Sequence, residues 1–362
     1  MKAAVLRAIQ KPLEIEDVQL ASPGPHEVLV RTVAAGVCHS DVHFWQGSWI
    51  YPMPVVMGHE SAGIVEEVGS EVKYVQPGDH VITCLSVFCG HCKFCLGGRP
   101  SLCDKNETRR GLDEPPRISK NGETVNQFAD LSSYAEAMLV HEHAVAKIRE
   151  DMPLDKAALI GCGVTTGMGA VFNTAKVPAG STVAVIGCGG VGLSAIQGAA
   201  IAGAGRIIAI DTLASKLDLA KQLGATDGVD ASEGDPVAQV QQLTGGGVEY
   251  SFEAIGLKQT AEQAFEMLEI GGTATVVGML PLGTKIEIDG SASLFWMEKK
   301  IQGSNMGSNR FRVDMPRYID MYLAGKLKLD EMISREIQLE DINDAFEALV
   351  KGEVARQVIL FS

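Results

Sequence analysis

The sequence predicts an α/β protein of two domains, one a strand-rich body and the other a doubly wound parallel sheet. Three observations carry this. The 362 residues are enough for roughly two domains of ordinary size. β-branched runs broken by turn signals fill the chain to about Val87. From about Gly163 to Gly303 strand and helix patterns alternate, which favours right-handed βαβ units. With 46% hydrophobic and 21% charged residues the composition is that of a folded chain. A net charge of −14, from 31 Lys and Arg against 45 Asp and Glu, argues against nucleic-acid or anionic-membrane partners.

In the first region, residues 28–33, 61–68 and 80–83 read as strands, the last following the turn Pro77-Gly78-Asp79. In the second, strands are expected at 182–186, 206–210, 249–252 and 273–277, with helices at 191–202, 213–223 and 259–268. The longest uncharged stretch, 177–205, contains Pro178 and seven glycines from Gly187 onward. It fits a strand, a Gly turn and a buried helix better than a membrane span. Residues 313–362 read as two helices and a last strand at 357–361, too short for a domain of their own and expected to pack back onto the first. The N-terminal residues are charged and lack the apolar core of an export signal, so a cytoplasmic location with reduced or metal-bound cysteines is expected.

Gly187-Cys188-Gly189-Gly190-Val191-Gly192 matches G-x-G-x-x-G, follows one strand and opens a helix. The next strand ends at Asp211, nineteen residues after Gly192. This is the Rossmann context for a pyrophosphate at a helix N-terminus, with an acid on the adenosine ribose. Asp211 would repel a 2′-phosphate and favour NAD over NADP, and Lys216 lies within reach of the same ribose. A different nucleotide, such as S-adenosylmethionine, is the alternative.

Cys89, Cys92, Cys95 and Cys103 place four thiols within fifteen residues, with Gly90, Gly97, Gly98 and Pro100 arguing against a helix there. Four thiolates at this spacing suit a closed structural zinc site; an iron–sulfur cluster and a nucleic-acid zinc ribbon are the alternatives. His91 is read as a bystander. Cys38, His59 and Cys162 would supply the open Cys2His set of a catalytic zinc, although each alone is more often a buried thiol or an ordinary histidine.

Taken together, the segments 36–41, 58–63, 89–103, 161–167 and 187–192, with Arg356 near the end, resemble the zinc-dependent alcohol dehydrogenases of the medium-chain dehydrogenase/reductase family over essentially the whole chain. The resemblance implies a GroES-like catalytic domain from residues 1–163 and 306–362, a Rossmann domain from 164–305, and an active site in the cleft between them. It implies two zinc ions per subunit and reversible hydride transfer between an alcohol and NAD. Ser40 and His43 occupy the positions of the family's proton relay. Asp41 matches the carboxylate that orients His59, and Glu60 the acid behind the metal. Thr166 and Val191 match positions against the nicotinamide. His39 and Arg356 match pyrophosphate contacts. Trp49, Leu85 and Met279 fall near the substrate channel, with Phe44 and Trp45 close by. The expected substrate is a primary alcohol or aldehyde with a hydrophobic aromatic, terpenoid or medium-chain body. A thiol-adduct formaldehyde dehydrogenase is the rival within the family; Trp49 and Glu107 stand where that branch holds glutathione with an acid and a basic residue, which argues against glutathione and leaves an adduct of another thiol as the form of this rival. A catalytically silent zinc and nucleotide binder is the rival outside it. The thirty residues between Cys103 and Tyr134 go with dimeric relatives, so a homodimer through about residues 293–306 is expected, with a tetramer as the alternative.

Overall fold

The computed structural model describes every residue except Lys105, Leu112, Glu353 and Ser362. The chain divides into two compact units: Met1–Gly163 with Arg310–Gly325 and Leu329–Ser362, and Val164–Asn309 with Lys326–Lys328. The later boundary lies at Asn309 rather than 305, because residues 306–309 pack within the second unit. Thr174 Oγ1 lies 2.8 Å from Ser308 Oγ, and a Cβ on Gly169 would meet the Gly307 carbonyl at 2.4 Å.

In the first unit the eleven-residue strand Glu27–Val37 is the spine of a seven-stranded sheet. It pairs antiparallel with Ser61–Val68, Ala137–His141 and the returning C-terminal strand Arg356–Leu360. The tail therefore completes the sheet begun by the N-terminal half. A smaller six-stranded sheet contains Lys2–Leu6 and Glu123–Gln127. The helix Ile342–Val350 buries Ile342, Ala345, Phe346 and Leu349, the i, i+3, i+4, i+7 stripe of a helix on a core. Phe346, 1% exposed, packs there with Leu6, Val37, Met57 and Tyr134; burying such a side chain contributes about 1.5–3 kcal/mol. The tail also holds a strand the sequence reading omitted, Ile333–Ile337, parallel to the last one.

The second unit carries a wholly parallel sheet. In spatial order its strands are Asp227–Asp230, Arg206–Asp211, Thr182–Ile186, Val248–Glu253, Leu268–Val276 and Lys300–Gly303. In chain order that is 3-2-1-4-5-6, the doubly wound Rossmann arrangement, with the direction of winding reversing between Thr182–Ile186 and Val248–Glu253. The uncharged stretch folds as expected: strand Thr182–Ile186, a glycine turn, and helix Gly190–Ala202. Among the described residues one helical segment, Leu154–Ala175, is long and apolar enough to cross a membrane, but 83% of its apolar window is buried in the fold.

Candidate active site

The candidate metal-ligand set of the first unit is assembled from three elements. Cys38 follows the spine strand and stands at the N-cap of helix His39–Gln46, where free N–H groups favour a thiolate. His59 follows Gly58, whose φ of +93° turns the chain; a side chain there would strike Tyr134 and Ser133. Cys162 sits where the helix starting at Leu154 widens to i→i+5 spacing, over Ile160–Val164. The three are 3%, 1% and 4% exposed, and their ligand atoms all lie within 4.8 Å of one another. His59 Nε2 is 3.2 Å from Cys162 Sγ. The Cys38 thiol is held well below its ordinary range, chiefly by the hydrogen bond from Cys162, with His59 adding to the effect against the cost of burial. Among the described residues only two thiols and an imidazole converge here, which fits a zinc ion with one open position.

Behind this set Asp41, fully buried, fixes the imidazole. Its carboxylate accepts from His59 Nδ1 (3.1 Å), Gly58 N–H (3.1 Å) and the Tyr134 hydroxyl (2.8 Å). With Nδ1 donating to Asp41, the Nε2 lone pair faces the two sulfurs. Glu60, also fully buried, accepts from Gly163 N–H (3.1 Å) and pairs with Arg356. Burial pushes its carboxyl up, and the Arg356 charge opposes that. Gly36 is glycine for this reason: a Cβ would lie 2.0 Å from Glu60 Oε1. Arg356, expected at a pyrophosphate, is 4% exposed, and its guanidinium supplies the counter-charge of Glu60.

Ser40 and His43 lie three apart on helix His39–Gln46 and so share a face. Burial, and then the neighbouring His39 ring 5.2 Å away, lower the His43 pKa, keeping the imidazole neutral and able to accept a proton. An aromatic run leads from the expected substrate residues to the ligand set. Trp49 meets Phe44 (6.2 Å between ring centres), Phe44 meets Phe128 (4.8 Å), and Phe128 meets His59 (5.9 Å). Trp45 belongs to the core: its Nε1 donates to the Lys11 carbonyl and its ring packs on Phe346. Leu85 is half-buried against the valines of the larger sheet.

In the four-cysteine segment all ligand sulfurs again lie within 4.8 Å of one another. The Cys89–Cys95, Cys92–Cys95 and Cys92–Cys103 separations are 3.9, 3.5 and 3.9 Å, close to the ~3.8 Å edge of a tetrahedron with Zn–S of about 2.3 Å. The glycines do not exclude helix entirely. One turn, Lys93–Leu96, forms with the Cys92 sulfur accepting from Cys95 N–H at its start. His91 faces Glu107 at 3.0 Å, outside the set.

In the second unit the fingerprint turn forms as its glycines require. A Cβ on Gly192 would lie 1.7 Å from the Gly187 carbonyl, and Gly187 has φ +93°. Gly189 caps helix Gly190–Ala202, in which Val191 is half-buried. Asp211 closes the second strand and accepts from Cys188 N–H (2.8 Å), Thr212 N–H (2.8 Å) and Leu213 N–H (3.2 Å), so it is anchored beside the turn. Lys216 is half-buried one helical turn further on. Thr166 is buried with its hydroxyl on Met306 sulfur, and Met279 is half-buried after the fifth strand. This cradle fits a dinucleotide pyrophosphate. Of the remaining cysteines, Cys84 and Cys188 are buried, and burial pushes the Cys188 thiol up to about 12.

Tyr134 and Phe128 escaped the sequence reading. Neither stands in a motif, and each reaches its partner across more than sixty residues of chain.

Residues 24–150 match the family model of the alcohol dehydrogenase GroES-like domain, and residues 190–323 that of the zinc-binding dehydrogenase. The chain is 43% identical to an alcohol dehydrogenase class-3 of Zea mays, over 99% of this chain and 96% of that one. It is 42% identical, at the same coverage, to a probable S-(hydroxymethyl)glutathione dehydrogenase 1 of Schizosaccharomyces pombe. Among solved structures, the benzyl alcohol dehydrogenase of Acinetobacter calcoaceticus superposes with a TM-score of 0.94 at 34% identity, covering 100% of this chain and 99% of that one.

Proposed function

Because the chain belongs to the zinc-dependent alcohol dehydrogenases of the medium-chain dehydrogenase/reductase family, and is an oxidoreductase acting on CH–OH groups, we propose that it reversibly oxidises a primary CH–OH group to the carbonyl level, an aldehyde from a simple alcohol or a formyl thioester from a hydroxymethyl thiol, with NAD as the hydride partner. The observation that carries this is the buried, three-ligand convergence of Cys38, His59 and Cys162. Zinc held by Cys38, His59 and Cys162 would supply Lewis acidity to the alcohol oxygen, and NAD held at the fingerprint turn would supply the hydride acceptor. The chain's own residues do the rest. Asp41 holds the His59 tautomer. Glu60 and Arg356 keep a compensated charge behind the ligands. Ser40 takes the alcohol proton, and neutral His43 passes it on. Gly187, Gly189, Gly190 and Gly192 seat the pyrophosphate, and the Asp211 carboxylate accepts from the adenosine ribose and repels a 2′-phosphate. The four-cysteine segment holds a second zinc that pins its own loop.

For the substrate, the names of the relatives support a hydroxymethyl–thiol adduct more strongly than a simple hydrophobic alcohol. The second reading, an apolar aromatic, terpenoid or medium-chain alcohol, is favoured by the aromatic run from Trp49 to His59 and by the benzyl alcohol dehydrogenase neighbour. Comparing kcat/KM for S-(hydroxymethyl)glutathione, a second hydroxymethyl thiol, benzyl alcohol and geraniol separates them. A thiol adduct leading by tenfold or more selects the first reading; benzyl alcohol or geraniol leading selects the second. Turnover with none of them sinks both.

We also propose a cytoplasmic homodimer. The segment Gly290–Trp296, next to the edge strand Lys300–Gly303, leaves Phe295 77% and Trp296 80% exposed, an apolar patch on an open sheet edge. A monomer by light scattering would contradict this.

A further inference from the structure

The parallel sheet reverses its winding between strands Thr182–Ile186 and Val248–Glu253, and dinucleotides bind at the carboxyl ends of the strands at such a point. Glu253 is the last residue of its strand there, opposite Ile186, which immediately precedes the fingerprint turn. Its side chain is fully buried, and among the described residues no Lys or Arg pairs with it. All three of its side-chain hydrogen bonds fall on one oxygen. Oε1 accepts from Ile255 N–H (2.9 Å), Gly256 N–H (2.7 Å) and the Thr260 hydroxyl (2.8 Å), while Oε2 has no hydrogen-bond partner among the described residues. Burying an acid on these terms is costly. What the arrangement provides is a one-sided clamp on the turn Ala254–Ile255–Gly256.

That turn is wedged between two others. A Cβ on Gly187 would lie 2.5 Å from Ile255 Cγ1, so Ile255 rests directly on the first glycine of the fingerprint. A Cβ on Gly256 would lie 2.5 Å from the Met279 carbonyl, and one on Gly278 would lie 2.2 Å from Gly256 N and 2.6 Å from Glu253 Oε2. The Glu253 carbonyl also accepts from Val277 and Gly278 N–H, both at 2.9 Å. Glu253 therefore ties together the ends of the first, fourth and fifth strands. The first half of a Rossmann sheet, which here contains Asp211, takes the adenosine mononucleotide, which leaves the half beginning at the fourth strand for the nicotinamide mononucleotide.

We propose that Glu253 is a positioning residue for the nicotinamide half of the cofactor, acting through the Ile255–Gly256 turn and not through its charge. This rests on the dinucleotide reading above. The test is calorimetric binding of NADH and of 5′-AMP, which fills the adenosine half alone, to the full-length zinc-loaded protein. Glu253→Asp keeps the charge but withdraws the oxygen by one methylene. It should weaken NADH by about tenfold, the equivalent of one well-made hydrogen bond, while AMP stays within twofold. Glu253→Gln keeps an Oε1 acceptor and should bind NADH within threefold of the parent. The proposal is overturned if Glu253→Asp binds NADH as the parent does, if it loses NADH and AMP in equal proportion, or if Glu253→Gln fails as Glu253→Asp does. Should Glu253→Asp not fold, Thr260→Val removes one of the three donors and is read the same way. A parent protein that binds neither NADH nor AMP would instead sink the dinucleotide reading itself.

Discussion

Replacing Asp41 by Asn probes the metal centre one step behind the ligands. Asp41 receives three donors and offers none: His59 Nδ1–H, Gly58 N–H and Tyr134 O–H, at 2.8–3.1 Å in a fully buried site. An amide has one acceptor oxygen, so its NH2 must face a donor, most directly the Tyr134 hydroxyl. One charge-assisted hydrogen bond is lost, worth about 1.5–3 kcal/mol, and His59 loses part of what fixes its Nδ1–H tautomer. Substitutions behind metal ligands commonly weaken metal binding by about 10–100-fold, which is about 1.4–2.8 kcal/mol and agrees with that loss. Zinc release to a chromophoric chelator measures the effect, and the four-cysteine site, which shares no residue with Asp41, serves as the internal standard. One zinc per chain should leave at least tenfold more readily in Asp41→Asn while the other is unchanged. Equal retention of both ions, or equal loss of both, would refute the reasoning.

Asp211→Ala should raise NADP turnover relative to NAD; an unchanged preference would show that another residue sets it. His43→Ala should slow alcohol oxidation most at acid pH. Burial and His39 lower the pKa of the parent's imidazole, which favours its proton-accepting form, and the loss should fall toward the low end of the ~10²–10⁴-fold range of general-base effects. A pH–rate profile that merely shifts down uniformly would remove His43 from the relay. Glu27 is the stability counterpart. Burial would raise its carboxyl, but the Arg110 guanidinium, Gly24 N–H and the Arg117 guanidinium hold it at about 2. Its folded pKa lies below the unfolded value of about 4.3, so its stabilisation, about 3 kcal/mol, is present above pH ~4.3 and drains away as the pH falls toward 2. Glu27→Gln should lower the urea midpoint at neutral pH, with the gap to the parent closing across that window; a gap independent of pH would contradict the assignment.

The readable parts of this protein are those whose physics is local. The fingerprint turn is legible because its steric demand, 1.7 Å between a Gly192 Cβ and the Gly187 carbonyl, acts within six residues. The strands Ser61–Val68, His80–Thr83 and Thr182–Ile186 fall where their apolar runs put them. The edge strands Asp227–Asp230 and Lys300–Gly303 were missed because acids, Lys and Gly carry little strand propensity, and only pairing with a neighbour makes them strands. The metal ligands show through as residue types, but their support does not. Tyr134 reaches Asp41 across 93 residues, and Arg356 reaches Glu60 across 296. Glu253 looks in sequence like any acid at a strand end; its one-sided clamp exists only once three turns pack together.

The central claim is that zinc at Cys38, His59 and Cys162 enables alcohol oxidation by NAD. The most direct measurement is NADH formation at 340 nm with S-(hydroxymethyl)glutathione, benzyl alcohol and geraniol, before and after a chelator removes the zinc of the three-ligand set, which has one protein ligand fewer than the four-cysteine site, and again after zinc is restored. The account predicts two zinc ions per chain in the active protein, loss of turnover as one is removed, and recovery when it returns. Turnover that persists after that ion is gone, or a fully zinc-loaded protein that forms no NADH with any of these alcohols, would contradict it.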